Sequence, residues 1–581
     1  MKRLLIYLRD YKKECVLAPL FKMLEASFEL FVPLVIASMI DVGIAGNNKP
    51  LLIRDFFLLI LLGLIGLSVA VTAQYFSAKA AIGFATKLRH HLFSHLMMLS
   101  YNEIDHIGTS TMITRMTSDV NQAQTGVNMF LRLFLRSPFV VFGAMIMAFT
   151  IDVKCAMYFV FAIIGLSIVV FTIMAFSIPM MKDVQKKLDT VLLHTRENLA
   201  GVRVLRAFCR EEEEIEEFRR CNALLTQRQK KSGSLSGLMN PLTYVLINVA
   251  IVLLIYSGAV RVSLGSLTQG EVVALYNYMS QILVELIKLA NLIVTLNKAM
   301  ASANRISEVF GINASITDGT EDFEESNIAL EENYIEYRHV GLTYAGSAEE
   351  SLSDINFKVK KGQTVGVIGG TGCGKTTLIN LLPRFYDVTT GEVIIGGKNV
   401  KEYKQEVLRE KIGVVMQKSV LFKGTIRDNL KWRKEDASEK EIMEAVTIAQ
   451  ATDVVEKKGG LDALVEQNGR NFSGGQKQRL SIARAIAKQP KVLIFDDSFS
   501  ALDYKTDAAL RKALAEKTKD ATVIIVAQRI NTILHADQIL VLEEGQIVGK
   551  GTHSELLASC EAYQEIAGSQ LSEEELKGGV C

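Results

Sequence analysis

Gly369-Gly370-Thr371-Gly372-Cys373-Gly374-Lys375-Thr376-Thr377 follows directly on the apolar run 364–368 and leads into a second apolar stretch, 377–382. A buried strand, a glycine-rich turn and a helix in that order form a phosphate-binding loop. The glycines at 369, 372 and 374 let the backbone wrap phosphate oxygens with its amides. Lys375 adds charge toward the β and γ phosphates, and Thr376 offers a hydroxyl to Mg2+. Gly370, Thr371, Cys373 and Thr377 complete the cradle. A glycine-rich turn without a ligand would not require the whole pattern, so nucleotide binding is the reading carried forward.

Outward from this loop the chain is too long for one core. Its 581 residues call for two or more domains. Hydrophobic residues make up 49%, and 65 basic against 63 acidic residues leave a net charge of +2. These averages hide a greasy first half and a soluble second half. Near-neutral charge without a basic stripe speaks against nucleic acid as a partner. Seven cysteines, at 15, 155, 209, 221, 373, 560 and 581, show neither paired nor metal-ligand spacing, which fits a reducing compartment. The basic start, 1–13, precedes an apolar segment longer than a signal-peptide core, and is expected to be a retained amphipathic helix at the cytoplasmic surface.

Residues 1–310 read as a polytopic membrane domain, with spans at about 15–40, 56–76, 130–150, 156–180, 242–260 and 272–296. Two long, polar, helix-compatible connections, 79–128 and 182–240, alternate with three short ones. Lys2, Arg3, Arg9, Lys12 and Lys13, then Lys87, Arg89 and Arg115, then the many basic residues of 182–231 all fall on the long-loop side. By the positive-inside rule that side is cytoplasmic, and both termini and the phosphate loop lie there in a plasma-membrane protein, facing the ATP pool. The run Glu211 to Glu214 reads as a solvated helix face. Within the spans stand Glu25, Glu29, Arg132, Arg136, Glu285 and Lys288. Arg132 and Arg136 are placed to snorkel, and Glu285 and Lys288, one helical turn apart, to pair with each other. A role for these groups in lining a substrate cavity is a hypothesis at this stage.

The polar, acidic segment 311–332 reads as a linker, and 333–570 as a soluble α/β domain, followed by a tail at 571–581. Short apolar runs at 364–368, 412–416, 492–495, 523–526 and 539–542 are expected to be strands separated by helices. Such a domain binds ligand at the carboxyl ends of its strands. Val492-Leu493-Ile494-Phe495-Asp496 is a strand ending in a carboxylate suited to Mg2+. Phe472-Ser473-Gly474-Gly475-Gln476 opens a helix expected over 477–488, whose first amides make a second anion site.

Six spans with two long cytoplasmic loops, then Gly369 to Thr377, Gln417, Ser473-Gly474-Gly475-Gln476, Asp496 and Ser500-Ala501-Leu502-Asp503, in that order, resemble an ABC exporter half-transporter. The resemblance covers nearly the whole chain. It implies a type I all-α membrane domain fused to an α/β P-loop NTPase domain, an ATPase that drives transport, and ATP with Mg2+ as ligands. It also implies a dimer with a second half-transporter in the bilayer, each ATP lying between the phosphate loop of one half and the serine-glycine-glycine-glutamine signature of the other. On the matching positions, Tyr344 stacks on adenine, Gln417 senses Mg2+ and the attacking water, Thr376 and Asp496 hold the metal, and Asp503 communicates between sites. The stretches 101–108 and 201–208 resemble the coupling segments that press on nucleotide domains.

Two positions depart from the family pattern. Asp497 stands where a water-polarising glutamate is usual, and aspartate is one methylene shorter, about an ångström too far back for proton abstraction. Gln528 stands where histidine is expected, and an amide hydrogen-bonds a phosphate without becoming cationic. The segment Val465-Glu466-Gln467-Asn468-Gly469 matches the family only loosely. Together these imply one half of a heterodimeric multidrug-type exporter of small amphiphiles, with a poorly hydrolytic site of its own and an intact signature for its partner. A homodimeric exporter of lipid or peptide, or a nucleotide-binding membrane regulator that does not pump, are the alternatives.

Overall fold

The computed structural model describes residues 2–323, 333–432, 434–517 and 520–571. Part of the expected linker, 324–332, and nearly all of the tail, 572–581, lie outside these residues. The chain divides into two compact units. One joins Met1–Met97 to Ser110–Ile312, and the other joins Met98–Thr109 to Asn313–Cys581.

The first unit is all helix. After a short 3-10 turn at Lys2–Tyr11 come α1 (Lys12–Ser38) and α2 (Lys49–Met98); α3 (Tyr101–Ile107) belongs to the second unit. Then follow α4 (Val120–Leu133), α5 (Arg136–Ile151), α6 (Val153–Ala200), α7 (Val202–Ala207), α8 (Glu211–Gly237), α9 (Met239–Ser263) and α10 (Gln269–Val309). Among the described residues six helical segments are long and apolar enough to cross a membrane: Leu4–Ile44, Lys49–Met98, Thr109–Ile151, Val153–Ala200, Glu211–Ser263 and Gln269–Val309. The two long polar connections are chiefly continuations of these helices. Hydropathy falls away near residue 76, but alanine, leucine and lysine carry α2 on to Met98.

Local chemistry sets the helix ends. Asp152 accepts the Cys155 amide at 2.8 Å to start α6, and Thr268 with Glu271 forms a capping box at α10. Asp41 then ties this cap to the end of the first span, accepting the Thr268 hydroxyl at 2.5 Å and the Gly270 amide at 2.8 Å. Small residues let helices approach: a Cβ on Gly126 of α4 would overlap that of Ala299 on α10. Ala144, Ala148, Ala156 and Ala162 line the same core, which Phe159 and Tyr278 fill. The Tyr278 hydroxyl donates to the Leu30 carbonyl at 2.6 Å, three residues before Pro33, which lies inside α1. Glu211 to Glu214 occupy the exposed first turn of α8, where acidic groups favour the helix dipole.

Among the described residues the second unit holds, besides a short ladder of Gly424–Thr425 with Leu464–Val465, two larger sheets. β1 (Asn333–Leu342), β2 (Leu352–Lys360), β3 (Thr364–Gly369), β4 (Thr390–Ile395), β5 (Lys398–Asn399), β6 (Ile412–Val415), β7 (Val492–Asp496), β8 (Thr522–Val526), β9 (Gln538–Glu543) and β10 (Gln546–Gly551) divide between them. The orders are β2-β1-β4-β5 and β10-β9-β3-β8-β7-β6. In the six-stranded sheet β9, β3, β8, β7 and β6 run parallel. β7 and β8 are buried at every position, the pattern of strands covered on both faces. The carboxyl ends of β3, β6 and β7 are therefore brought to one edge, each carrying one of the polar segments singled out in the sequence.

Residues 98–109 are organised with this unit. The Tyr386 hydroxyl donates to Asp105 on α3 at 2.7 Å, and the Tyr101 ring lies 4.9 Å from that of Phe385, over which Arg409 is stacked. The Ile316 amide donates to Ser100, whose side chain and Glu103 form the capping box of α3. Tyr386→Phe keeps the ring and loses this bond, an interaction of roughly 1–2 kcal/mol. The expected outcome is a more readily released α3, read as several-fold faster proteolytic cleavage within residues 98–109. Equal cleavage rates in the two proteins would mean that the bond does not hold α3 in place.

Candidate functional site

The phosphate loop is shaped by the glycines that cannot be replaced. Gly374 has φ +96°, and a Cβ there would lie 2.8 Å from the Ser351 carbonyl; one on Gly369 would overlap the Leu542 carbonyl. A Cβ on Gly370 or Gly372 would meet nothing within 4 Å, so the loop borders open space at these positions. Lys375 opens α11 (Lys375–Leu381) and donates to the carbonyls of Gly369 at 2.9 Å and Gly370 at 2.6 Å, which curls its ammonium over that space. Cys373 is buried. Thr371 is exposed, and Thr377 is buried against Tyr344, whose hydroxyl donates to it at 3.1 Å. The Tyr344 ring meets Tyr386 edge-on at 5.1 Å.

Asp496 ends β7 and is 4% exposed. The Thr376 hydroxyl lies 3.1 and 3.2 Å from its two carboxylate oxygens. Burial pushes the Asp496 carboxyl above the ordinary range, and the neighbouring Asp497 pushes the same way; the Thr376 bond and Lys375 oppose them. A hydroxyl and a buried carboxylate short of positive charge are a hard oxygen set that fits Mg2+, and the open glycine cradle beside them fits a nucleotide phosphate chain.

Asp497 follows with φ +46°, and it is 8% exposed. Its backbone amide bonds the Val526 carbonyl at 3.0 Å, and its Oδ2 accepts from Gln528 at 2.8 Å and from Gln417 at 3.3 Å. The loop lysine, Thr376, Asp496, Asp497, Gln417 and Gln528, drawn from the ends of β3, β6, β7 and β8, thus gather into one cluster.

The signature sits on its own corner. Its helix, α12 (Gly474–Ala487), begins three residues earlier than the periodicity suggests, because Ser473 caps it. The Ser473 amide donates to Gln476 at 3.0 Å, completing a capping box. A Cβ on Gly474 would meet nothing within 4 Å, whereas one on Gly475 would approach the Ala501 carbonyl at 3.1 Å. Asp503 caps the next helix by accepting from the Thr506 amide at 2.9 Å and hydroxyl at 2.8 Å, and these bonds hold its carboxyl below the ordinary range. Among the described residues no hydrogen bond joins Ser473–Gln476 to the Asp496 cluster; the Ser473 amide and hydroxyl are engaged with Gln476.

The charged groups in the spans are brought together in a way the sequence did not reveal. Glu285 and Lys288 do pair, at 2.8 Å, but Glu285 also accepts Arg136 at 2.6 Å and Ser137 at 2.8 Å. Arg136 does not snorkel. It is buried, and its second nitrogen donates to Glu29 at 2.6 Å, so that α1, α5 and α10 meet through one guanidinium. Glu29 and Glu285 lie 107 and 149 residues from Arg136 in sequence, and only the approach of three helices to one another makes the pairing visible.

Comparison with known proteins agrees with this architecture. Residues 15–286 match the family model of the ABC transporter transmembrane region and 352–500 that of the ABC transporter. An uncharacterized ABC transporter ATP-binding protein of Bacillus subtilis is 35% identical, with 99% of both chains covered. One from Mycobacterium tuberculosis is 35% identical over 97% of both. An ATP-dependent lipid A-core flippase of Yersinia pestis is 29% identical over 98% of both. A bacterial Atm1-family ABC exporter solved with ATP bound has the same fold, with a TM-score of 0.78, 23% identity, and 97% of this chain and 99% of that one covered. Six membrane helices, a complete phosphate loop beside a buried carboxylate, and full-length likeness to fused transporters make this chain a member of the half-size ABC exporters, an ATPase coupled to transport across the bilayer.

Proposed function

We propose that this protein is one half of a heterodimeric exporter of small amphiphilic, multidrug-type molecules in the plasma membrane, with both termini and the nucleotide domain cytoplasmic. Its own ATP site binds nucleotide and hydrolyses it poorly. The observation that carries this reading is the Asp497 carboxylate, whose Oδ2 already accepts two amide donors, Gln417 and Gln528. A shortened carboxylate engaged with two amides is ill placed to take a proton from water, and Gln528 cannot supply the positive charge of an imidazolium.

In this reading Tyr344 stacks on adenine and residues 369–377 hold the phosphates. Thr376, Gln417 and Asp496 hold Mg2+, which when bound neutralises charge on the phosphate oxygens. Ser473 to Gln476 and Asp503 serve the partner's nucleotide. The exposed α7, which carries Arg203 and Arg206 between apolar residues, with Phe208 73% exposed just beyond it, is a mixed basic and apolar segment suited to a nucleotide domain. Binding of ATP between the halves then favours the outward state to the extent that the two states differ in affinity for it.

The likeness to a lipid flippase supports a second reading, a homodimeric exporter of lipid in which Asp497 suffices as base. Steady-state Mg-ATPase separates the two. The chain purified alone is expected to be no more active than its Lys375→Ala version, and to gain Lys375-dependent turnover when co-purified with a second half-exporter that carries the glutamate. Robust Lys375-dependent activity in the chain alone would replace the heterodimer with the homodimer.

A further inference from the structure

We propose that His194, Glu217 and Cys221 form a zinc(II) site joining α6 to α8, in the long helical extensions that carry α7 at their tip. One imidazole nitrogen, one carboxylate oxygen and one thiol sulfur stand within 4.8 Å of one another. A tetrahedral zinc ion, with Zn–S of about 2.3 Å and Zn–O of about 2.0 Å, sets its sulfur and oxygen ligands about 3.5 Å apart. The Cys221 Sγ and Glu217 Oε1 are 3.6 Å apart. That spacing is built in, because residues four apart on a helix share a face, and α6, packed along α8, brings His194 to the same place. None of this shows in the cysteine spacing, since the third ligand comes from another helix.

The donor set selects the ion. Magnesium and calcium require oxygen ligands throughout, and copper(I) prefers thiolate and thioether, whereas mixed imidazole, carboxylate and thiolate is suited to zinc. Three protein ligands leave a fourth position for water, the arrangement of an exchangeable site. Arg220 donates to Glu217 at 2.8 Å from a largely exposed position, so it can orient the carboxylate or swing away to water. His194 lies six residues before the end of α6, and an ion held there ties the hairpin shut just behind α7.

The test uses the full-length protein in detergent, stripped of metal with a chelator and titrated first with Co2+ and then with Zn2+. One equivalent of Co2+ should produce a thiolate-to-cobalt absorption band, which stoichiometric Zn2+ removes. Cys221→Ser should abolish the band, and Cys209→Ser, at an exposed cysteine outside the cluster, should keep it. His194→Ala and Glu217→Gln should each weaken binding by about tenfold or more. Unchanged binding of a fluorescent ATP analogue in every variant controls for folding. Absence of the band in the unmodified protein overturns the site, as does its survival in Cys221→Ser. Unchanged affinity in both His194→Ala and Glu217→Gln would reduce it to a metal adduct of one thiolate, which also overturns it.

Discussion

Arg136→Ala should cost the membrane unit about 3–5 kcal/mol, the penalty of taking from buried Glu285 one of its two cations and from Glu29 its ion-pair partner. Three cations, Lys22, Arg136 and Lys288, stand among three carboxylates, Glu25, Glu29 and Glu285, and the group is neutral as built. Removing Arg136 alone leaves one net negative charge and strips the 5%-exposed Glu285 side chain of its closest partner. Inside a bilayer such a charge is more costly than at a soluble surface. Removing the pair together restores neutrality, so Arg136→Met with Glu285→Leu is expected to recover most of the loss. Thermal unfolding of the purified protein in detergent reads both effects. A single variant that melts with the wild type, or a double variant that melts as low as Arg136→Ala, would show that the network does not hold the helices together.

The second large effect lies in the nucleotide unit and is asymmetric. On the proposed heterodimer, Gly474→Asp should lower the ATPase of the complex on the order of a hundredfold, because it sets a negative charge where that proposal places the partner's phosphates. Its Cβ enters open space, so the fold of α12 is preserved and the loss reports on chemistry. Ser473→Ala should also lower turnover strongly, although it removes a helix cap worth about 1 kcal/mol as well. Asp497→Ala should change turnover by no more than about twofold, since the proposed site does little hydrolysis. Equal losses from Gly474→Asp and Asp497→Ala would mean that both sites turn over alike.

These two cases also mark what could be read from sequence. The nucleotide chemistry was legible because its groups lie in contiguous motifs at strand ends, so that identity and order suffice; the expected strands fall within a residue or so of β3, β6, β7, β8 and β9. Six spans were legible because the bilayer imposes a length and a hydropathy on each. Where the helices end was not, because a polar extension of a membrane helix obeys propensity and capping rather than hydropathy, as in α2. The Arg136 network, the Tyr386 bond to Asp105 across 281 residues, and the His194 contact with α8 are products of packing. In each the residues were visible and the partners were not.

The membership of residues 98–109 in the nucleotide unit changes what a domain boundary means for anyone dividing this gene product. A fragment begun at residue 313 would carry the aromatic pair Phe385 and Tyr386 without Tyr101 and Asp105, and the Ile316 amide without Ser100. Its surface would gain an uncovered aromatic patch of the kind that drives self-association. A soluble version is better made by grafting residues 98–109, with α3, back through a flexible linker than by cutting the chain once.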